Sequence, residues 1–140
     1  MSAQEQAEAY LNEARLTLES AQAIYNTATE TGNQLWAQVV KNGYDAIEQA
    51  VSAAIAADGE DIPYQHPAKI NTFLELHDPP QALADALLEW LRRRSDAQYV
   101  DIRGDNVNIP HTLFDRHDAE QILEDANAVI ELVEPIVDER

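Results

Sequence analysis

The stretch Leu35-Trp36-Ala37-Gln38-Val39-Val40-Lys41-Asn42-Gly43-Tyr44-Asp45-Ala46-Ile47-Glu48-Gln49-Ala50-Val51-Ser52-Ala53-Ala54-Ile55 decides the fold class. Its apolar or small positions fall at 35, 36, 39, 40, 43, 47, 50, 51, 54 and 55. Steps of three and four are the period of one helix face, not the alternation of a strand. The alanines let a neighbouring helix approach closely. Upstream, Thr31-Gly32-Asn33 breaks the pattern, and an earlier stripe through Tyr10, Leu11, Ala14, Leu18, Ala21, Ile24, Tyr25 and Ala28 predicts a first helix over Gln4–Thr29. Downstream, Asp58-Gly59-Glu60-Asp61-Ile62-Pro63 reads as a loop, and Pro67 opens a short helix carrying Ile70, Phe73 and Leu74. His77-Asp78-Pro79-Pro80 closes it. A fourth helix over Pro80–Tyr99 aligns Leu83, Leu87, Trp90 and Leu91. Asp101–Phe114, with Gly104, Asn106, Asn108 and Pro110, shows no stripe and reads as one long loop. Asp115 and Asp118 form an acidic N-terminus for a last helix through Ile122, Leu123, Ala126, Val129, Ile130 and Val133. Four long helices and a short one predict an all-α bundle in a single domain of residues 1–140.

The composition narrows the chemistry. The 140 residues include no cysteine, so disulfides, thiolate zinc sites, iron–sulfur clusters and a cysteine nucleophile are excluded. No apolar run reaches the roughly 18–20 residues of a membrane span, and the start of the chain carries no basic segment, which predicts a cytoplasmic protein with no membrane association. Nine basic residues against 26 acidic ones give a net charge of −17, with Lys41 and Lys69 as the two lysines. Such a field repels phosphate backbones at long range, so binding of nucleic acid through a broad basic surface is disfavoured. The same acidic excess predicts a halophilic source, where high salt screens the self-repulsion.

Against that field, Arg92-Arg93-Arg94 places three of the nine basic residues together. On a helical projection with Leu83 at zero, Leu87 falls near ~40°, Trp90 near ~340° and Arg94 near ~20°, whereas Arg92 falls near ~180°. Arg94 therefore sits within the apolar face, Arg93 at its border, and Arg92 in solvent beside Glu89 and Asp96. A guanidinium aimed at a core requires a carboxylate, a set of carbonyls or a cleft shared with another chain. One reading of Arg94 is an internal ion pair; the other is a phosphate-binding cleft with Arg93 and Arg94 as binding residues and Tyr99 at the helix end.

Tyr10-Leu11-Asn12-Glu13-Ala14, Tyr44-Asp45-Ala46-Ile47-Glu48-Gln49-Ala50, the loop bearing His66, Arg94-Ser95-Asp96-Ala97-Gln98-Tyr99 and Asp118-Ala119-Glu120 resemble, in this order, the HEPN domain family (higher eukaryotes and prokaryotes nucleotide-binding). The segment from Arg94 to Tyr99 is similar to its Arg-x-x-Ala-x-Tyr signature. The resemblance implies an antiparallel up-and-down four-helix bundle with an additional short helix, a homodimer, and a minimal nucleotidyltransferase as partner in a toxin-antitoxin-like pair. Many members are metal-independent ribonucleases in which an arginine is followed, after four to six intervening residues, by a histidine. At that spacing this chain offers Ala97, Gln98, Tyr99, Val100 and Asp101, and no histidine.

The four histidines, His66, His77, His111 and His117, form no i, i+4 ligand pair, so no metal or other cofactor is expected. Capping or surface roles suit them better, with His111, on the long loop, the first choice for any chemistry. No Gly-rich phosphate loop, Gly-x-Ser-x-Gly elbow or His-Glu-x-x-His stretch is present. Two functions follow as expectations. The first is a dimeric binding protein for a nucleotide or a nucleotidyltransferase partner, lacking the full ribonuclease motif. The second is an endoribonuclease acting on RNA with Arg94 and either Tyr99 or His111; a helical scaffold with no ligand site is the plain alternative.

Overall fold

The computed structural model describes residues 2–98, 101–103 and 106–139. Helix α1 spans Ala3–Thr31, α2 Trp36–Ala57, α3 His66–His77 and α4 Gln81–Gln98. Strands β1 (Asp101–Arg103) and β2 (Asn106–Asn108), a one-turn helix α5 (Pro110–Leu113) and the long helix α6 (Arg116–Asp138) complete the order. The result is an all-α bundle of α1, α2, α4 and α6 with the short helix α3 added, as the apolar periodicity predicts.

Helix α1 shows why the packing is tight. Ala7, Ala14, Ala21 and Ala28 are buried at seven-residue intervals, with Leu11 buried and Leu18 and Tyr25 packed on the core between them. That is a coiled-coil seam whose first positions are all alanine, so the backbone of α2 can lie close against it. Gly32 stops α1 in the left-handed conformation (φ 76°), which a glycine adopts without steric cost, and its N–H closes on the Ala28 carbonyl. Four residues then connect α1 to α2, so the two run antiparallel.

Helix α2 is the spine. Sixteen of its residues are buried, and it packs against α1, α3, α4 and α6, consistent with its near-continuous apolar composition. Gly43 sets its distance to α6: a Cβ there would meet Ile122 Cγ1 at 2.7 Å. Helix α6 is opened by a reciprocal capping box in which Asp115 Oδ1 accepts from the Asp118 N–H (2.9 Å) and Asp118 Oδ2 accepts from the Asp115 N–H (3.0 Å). The Tyr25 hydroxyl pins α1 to α6 by donating to Glu120 (2.6 Å) while accepting from Arg116 Nε (3.2 Å).

One expectation is corrected. The segment 101–114 is not a single loop: β1 and β2 pair antiparallel, with Ile102 opposite Val107 and Arg103 opposite Asn106, and Pro110 then starts α5. Two residues, Gly104-Asp105 in sequence, separate Arg103 from Asn106, the short spacing of a hairpin. No helix among the described residues is long and apolar enough to cross a membrane.

Candidate functional site

Three elements deliver the site. Glu48 lies on the buried side of α2, His66 is the first residue of α3, Lys69 follows one turn later on the same face of α3, and Arg94 comes from the last turns of α4. Glu48 is 7% exposed, so its charge requires partners. His66 Nδ1 lies 2.5 Å from Glu48 Oε2, and Lys69 Nζ donates to Glu48 Oε1 at 3.3 Å. On the other edge of the imidazole, Arg94 Nη2 lies 3.0 Å from His66 Nε2.

These contacts determine the histidine tautomer. A carboxylate accepts hydrogen bonds and a guanidinium donates them. The proton of His66 therefore sits on Nδ1, directed to Glu48, and the Nε2 lone pair accepts from Arg94. The imidazole in this chain of contacts is neutral, oriented by a carboxylate and engaged by a cation. Arg94 accordingly carries a full charge against a neutral partner; among the described residues no carboxylate ion-pairs with it, and its buried Nε has no hydrogen-bond partner.

Two more polar groups line the same corner. Tyr44 is 3% exposed, and its hydroxyl lies near the Glu48 carboxylate without forming a well-aligned hydrogen bond. Burial first, and the neighbouring Glu48 carboxylate second, push the phenol pKa up, so Tyr44 stays protonated and is a second buried donor. Asp45 is raised from its ordinary 3.8, chiefly by burial, against the opposing pull of Lys41. A hollow of about 690 Å³ opens beside the cluster, lined by His66 and Lys69 together with Tyr10 and Tyr64. At the start of α3 the N-cap residue Gln65 makes no side-chain cap, so the first-turn amides add positive potential on that side.

The expected site residues separate. Arg94 is in the cluster. Arg93 points to the opposite seam, where it donates to Asp118 Oδ1 at 3.1 Å and lies over the rings of Trp90 (5.3 Å) and Phe114 (4.6 Å). Arg92 is exposed and pairs with Glu89 one turn away. His111 is exposed on α5, and no hydrogen bond or ion pair among the described residues joins it to Arg94. Tyr99 lies outside the described residues. His77 ends α3 on Asp58 (2.6 Å), and His117 is exposed. Among the described residues no group of three His, Asp or Glu side chains could hold a metal ion. Glu48, His66 and Lys69 are the site residues that sequence reasoning misses; the available signal is an acid on the buried stripe of α2 and a His-x-x-Lys pair on one face of α3.

A bundle whose fourth helix aims an arginine at a carboxylate-oriented histidine defines a helical domain built around a cationic corner. The HEPN domain model matches residues 3–136, and the chain belongs to that family. The crystal structure of TT1696 from Thermus thermophilus is similar in fold, with a TM-score of 0.77, 21% sequence identity, and coverage of 94% of this chain and 98% of that one. No curated protein is significantly similar in sequence.

Proposed function

We propose that the Arg94–His66–Glu48–Lys69 corner binds the phosphate of a nucleotide, and that the protein is a HEPN-type dimeric binding protein rather than a ribonuclease. The observation that carries this reading is the state of Arg94: its charge meets a neutral imidazole, and its Nε and the Tyr44 hydroxyl are buried donors with no well-formed bond. Buried unsatisfied donors are costly, and a multiply charged oxyanion is the ligand that satisfies several at once. A cation with no ion-pair partner among the described residues stands out because the whole chain is acidic. A homodimer would bring two such corners into one assembly, and a minimal nucleotidyltransferase is the partner that a toxin-antitoxin-like role requires.

Calorimetric titration with AMP tests the reading. Arg94→Ala should weaken binding at least about tenfold, Arg92→Ala should leave it unchanged, and the wild-type protein should leave RNA intact.

One observation favours a second reading, an endoribonuclease. The imidazole absent from the α4 spacing is supplied in space by His66, and the carboxylate–imidazole–guanidinium chain has the parts for proton transfer beside a phosphate. Metal-independent RNA cleavage abolished by both Arg94→Ala and His66→Ala would establish this reading and overturn the first.

A further inference from the structure

We propose that Tyr64 is the platform on which the base of a bound mononucleotide stacks, a step that rests on the phosphate-binding reading above. Tyr64 is 91% exposed, the most exposed large apolar side chain among the described residues. It does not hang from a loose strap. Ile62, two residues earlier, packs against the core, Pro63 restricts the backbone immediately before the ring, and α3 begins two residues after it. An aromatic ring held in water by an anchored segment is a surface whose apolar face is available to a partner with a π-face.

The surroundings specify that partner. Tyr64 lines the 690 Å³ hollow together with Tyr10, Gln6, Gln65, Lys69 and His66, a volume within the range of small-molecule sites. Lys69 and His66 belong both to this hollow and to the cationic corner, so a phosphate held by the corner borders the hollow. Asp61 also borders the hollow and repels a phosphate from its own side. The charges therefore orient the ligand: phosphate toward Lys69 and away from Asp61, uncharged ring toward Tyr64. The Gln6 and Gln65 amides each offer a donor and an acceptor for the edges of a base. A free mononucleotide suits this arrangement better than an RNA strand, because each added phosphate of a strand must approach a chain of net charge −17.

The test compares AMP with ribose 5-phosphate by calorimetric titration, with the base protons of AMP followed by NMR. Tyr64→Ala should weaken AMP binding about tenfold and abolish the ring-current shift of the base protons, while ribose 5-phosphate binds as to the wild type. Tyr64→Trp should retain AMP binding. Exposure of the ring makes both variants foldable. If Tyr64→Ala binds AMP as tightly as wild type while Arg94→Ala does not, the platform is refuted and the phosphate site stands. If wild-type protein binds neither AMP nor ribose 5-phosphate, the phosphate site itself is refuted, and the platform with it.

Discussion

The protein buries a carboxylate on each side of α4, and the two are satisfied in opposite ways. On the α6 side, Asp125 accepts from the Trp90 indole (2.8 Å) and the Gln121 amide (3.0 Å), while nearby Arg93 is matched by Asp118 and covered by Trp90 and Phe114. Each charge there has a partner within the chain. On the α2–α3 side, Glu48 gathers His66 and Lys69, and Arg94 meets the far edge of the neutral ring with a buried donor left over. Adjacent arginines on one helix thus serve a closed seam and an open corner. The lesson is that completeness of pairing, more than burial or charge, separates a structural polar cluster from one prepared for a ligand.

The largest expected effect breaks the closed seam. Trp90 is 5% exposed, and Trp90→Ala removes its core volume together with a hydrogen bond to buried Asp125, at a cost of about 3–5 kcal/mol by chemical denaturation. Arg93→Ala comes next, with a loss of about 1–3 kcal/mol from the pairing with Asp118 and the two aromatic faces, and an unchanged affinity for AMP. Arg94→Ala should reverse that pattern, with AMP affinity falling at least about tenfold and the melting temperature nearly constant, since no ion pair is lost. If the two arginine variants behave alike in both measurements, the distinction between seam and corner fails.

The α-helices are legible in the sequence because apolar period is a local property, and the inward aim of Arg94 follows from the same projection along α4. The company it keeps is not legible. His66 lies 28 residues before Arg94 and 18 after Glu48, and a projection relates only residues within one helix. A search for a histidine a fixed number of residues after the arginine looks down the chain, whereas the fold brings one from the preceding short helix. Arg93, on the border of the apolar face, could equally turn to either side; the aromatic floor of Trp90 and Phe114 and the acid of the α6 capping box draw it to the seam. The hairpin escapes because three-residue strands are too short to show alternation, although Ile102 and Val107 flank a Gly-Asp pair.

Smaller effects separate the two sides by pH. Burial alone would raise Asp118, but hydrogen bonds from Arg93 and the Asp115 N–H hold it below its ordinary 3.8. Its contribution to stability is therefore present above pH 3.8 and is lost as pH falls through the lower folded value. Asp45, raised mainly by burial, has the opposite sign: its contribution is full below pH 3.8 and is lost as pH rises through the raised folded value. Asp118→Asn should flatten the acid limb of a stability–pH curve, whereas Asp45→Asn should stabilise the protein at neutral pH. Urea denaturation across pH checks both signs.

The central claim, that Arg94 is held behind a neutral, Glu48-oriented His66 until a phosphate arrives, is tested most directly by the ring nitrogens of the four histidines. In long-range ¹H–¹⁵N spectra the free protein should show His66 protonated on Nδ1 and unprotonated on Nε2. Addition of AMP should move the His66 Nε2 resonance, as the Arg94 guanidinium turns to the phosphate, and leave His77, His111 and His117 in place. A His66 spectrum unmoved at millimolar AMP, or one already showing the opposite tautomer, would contradict the account.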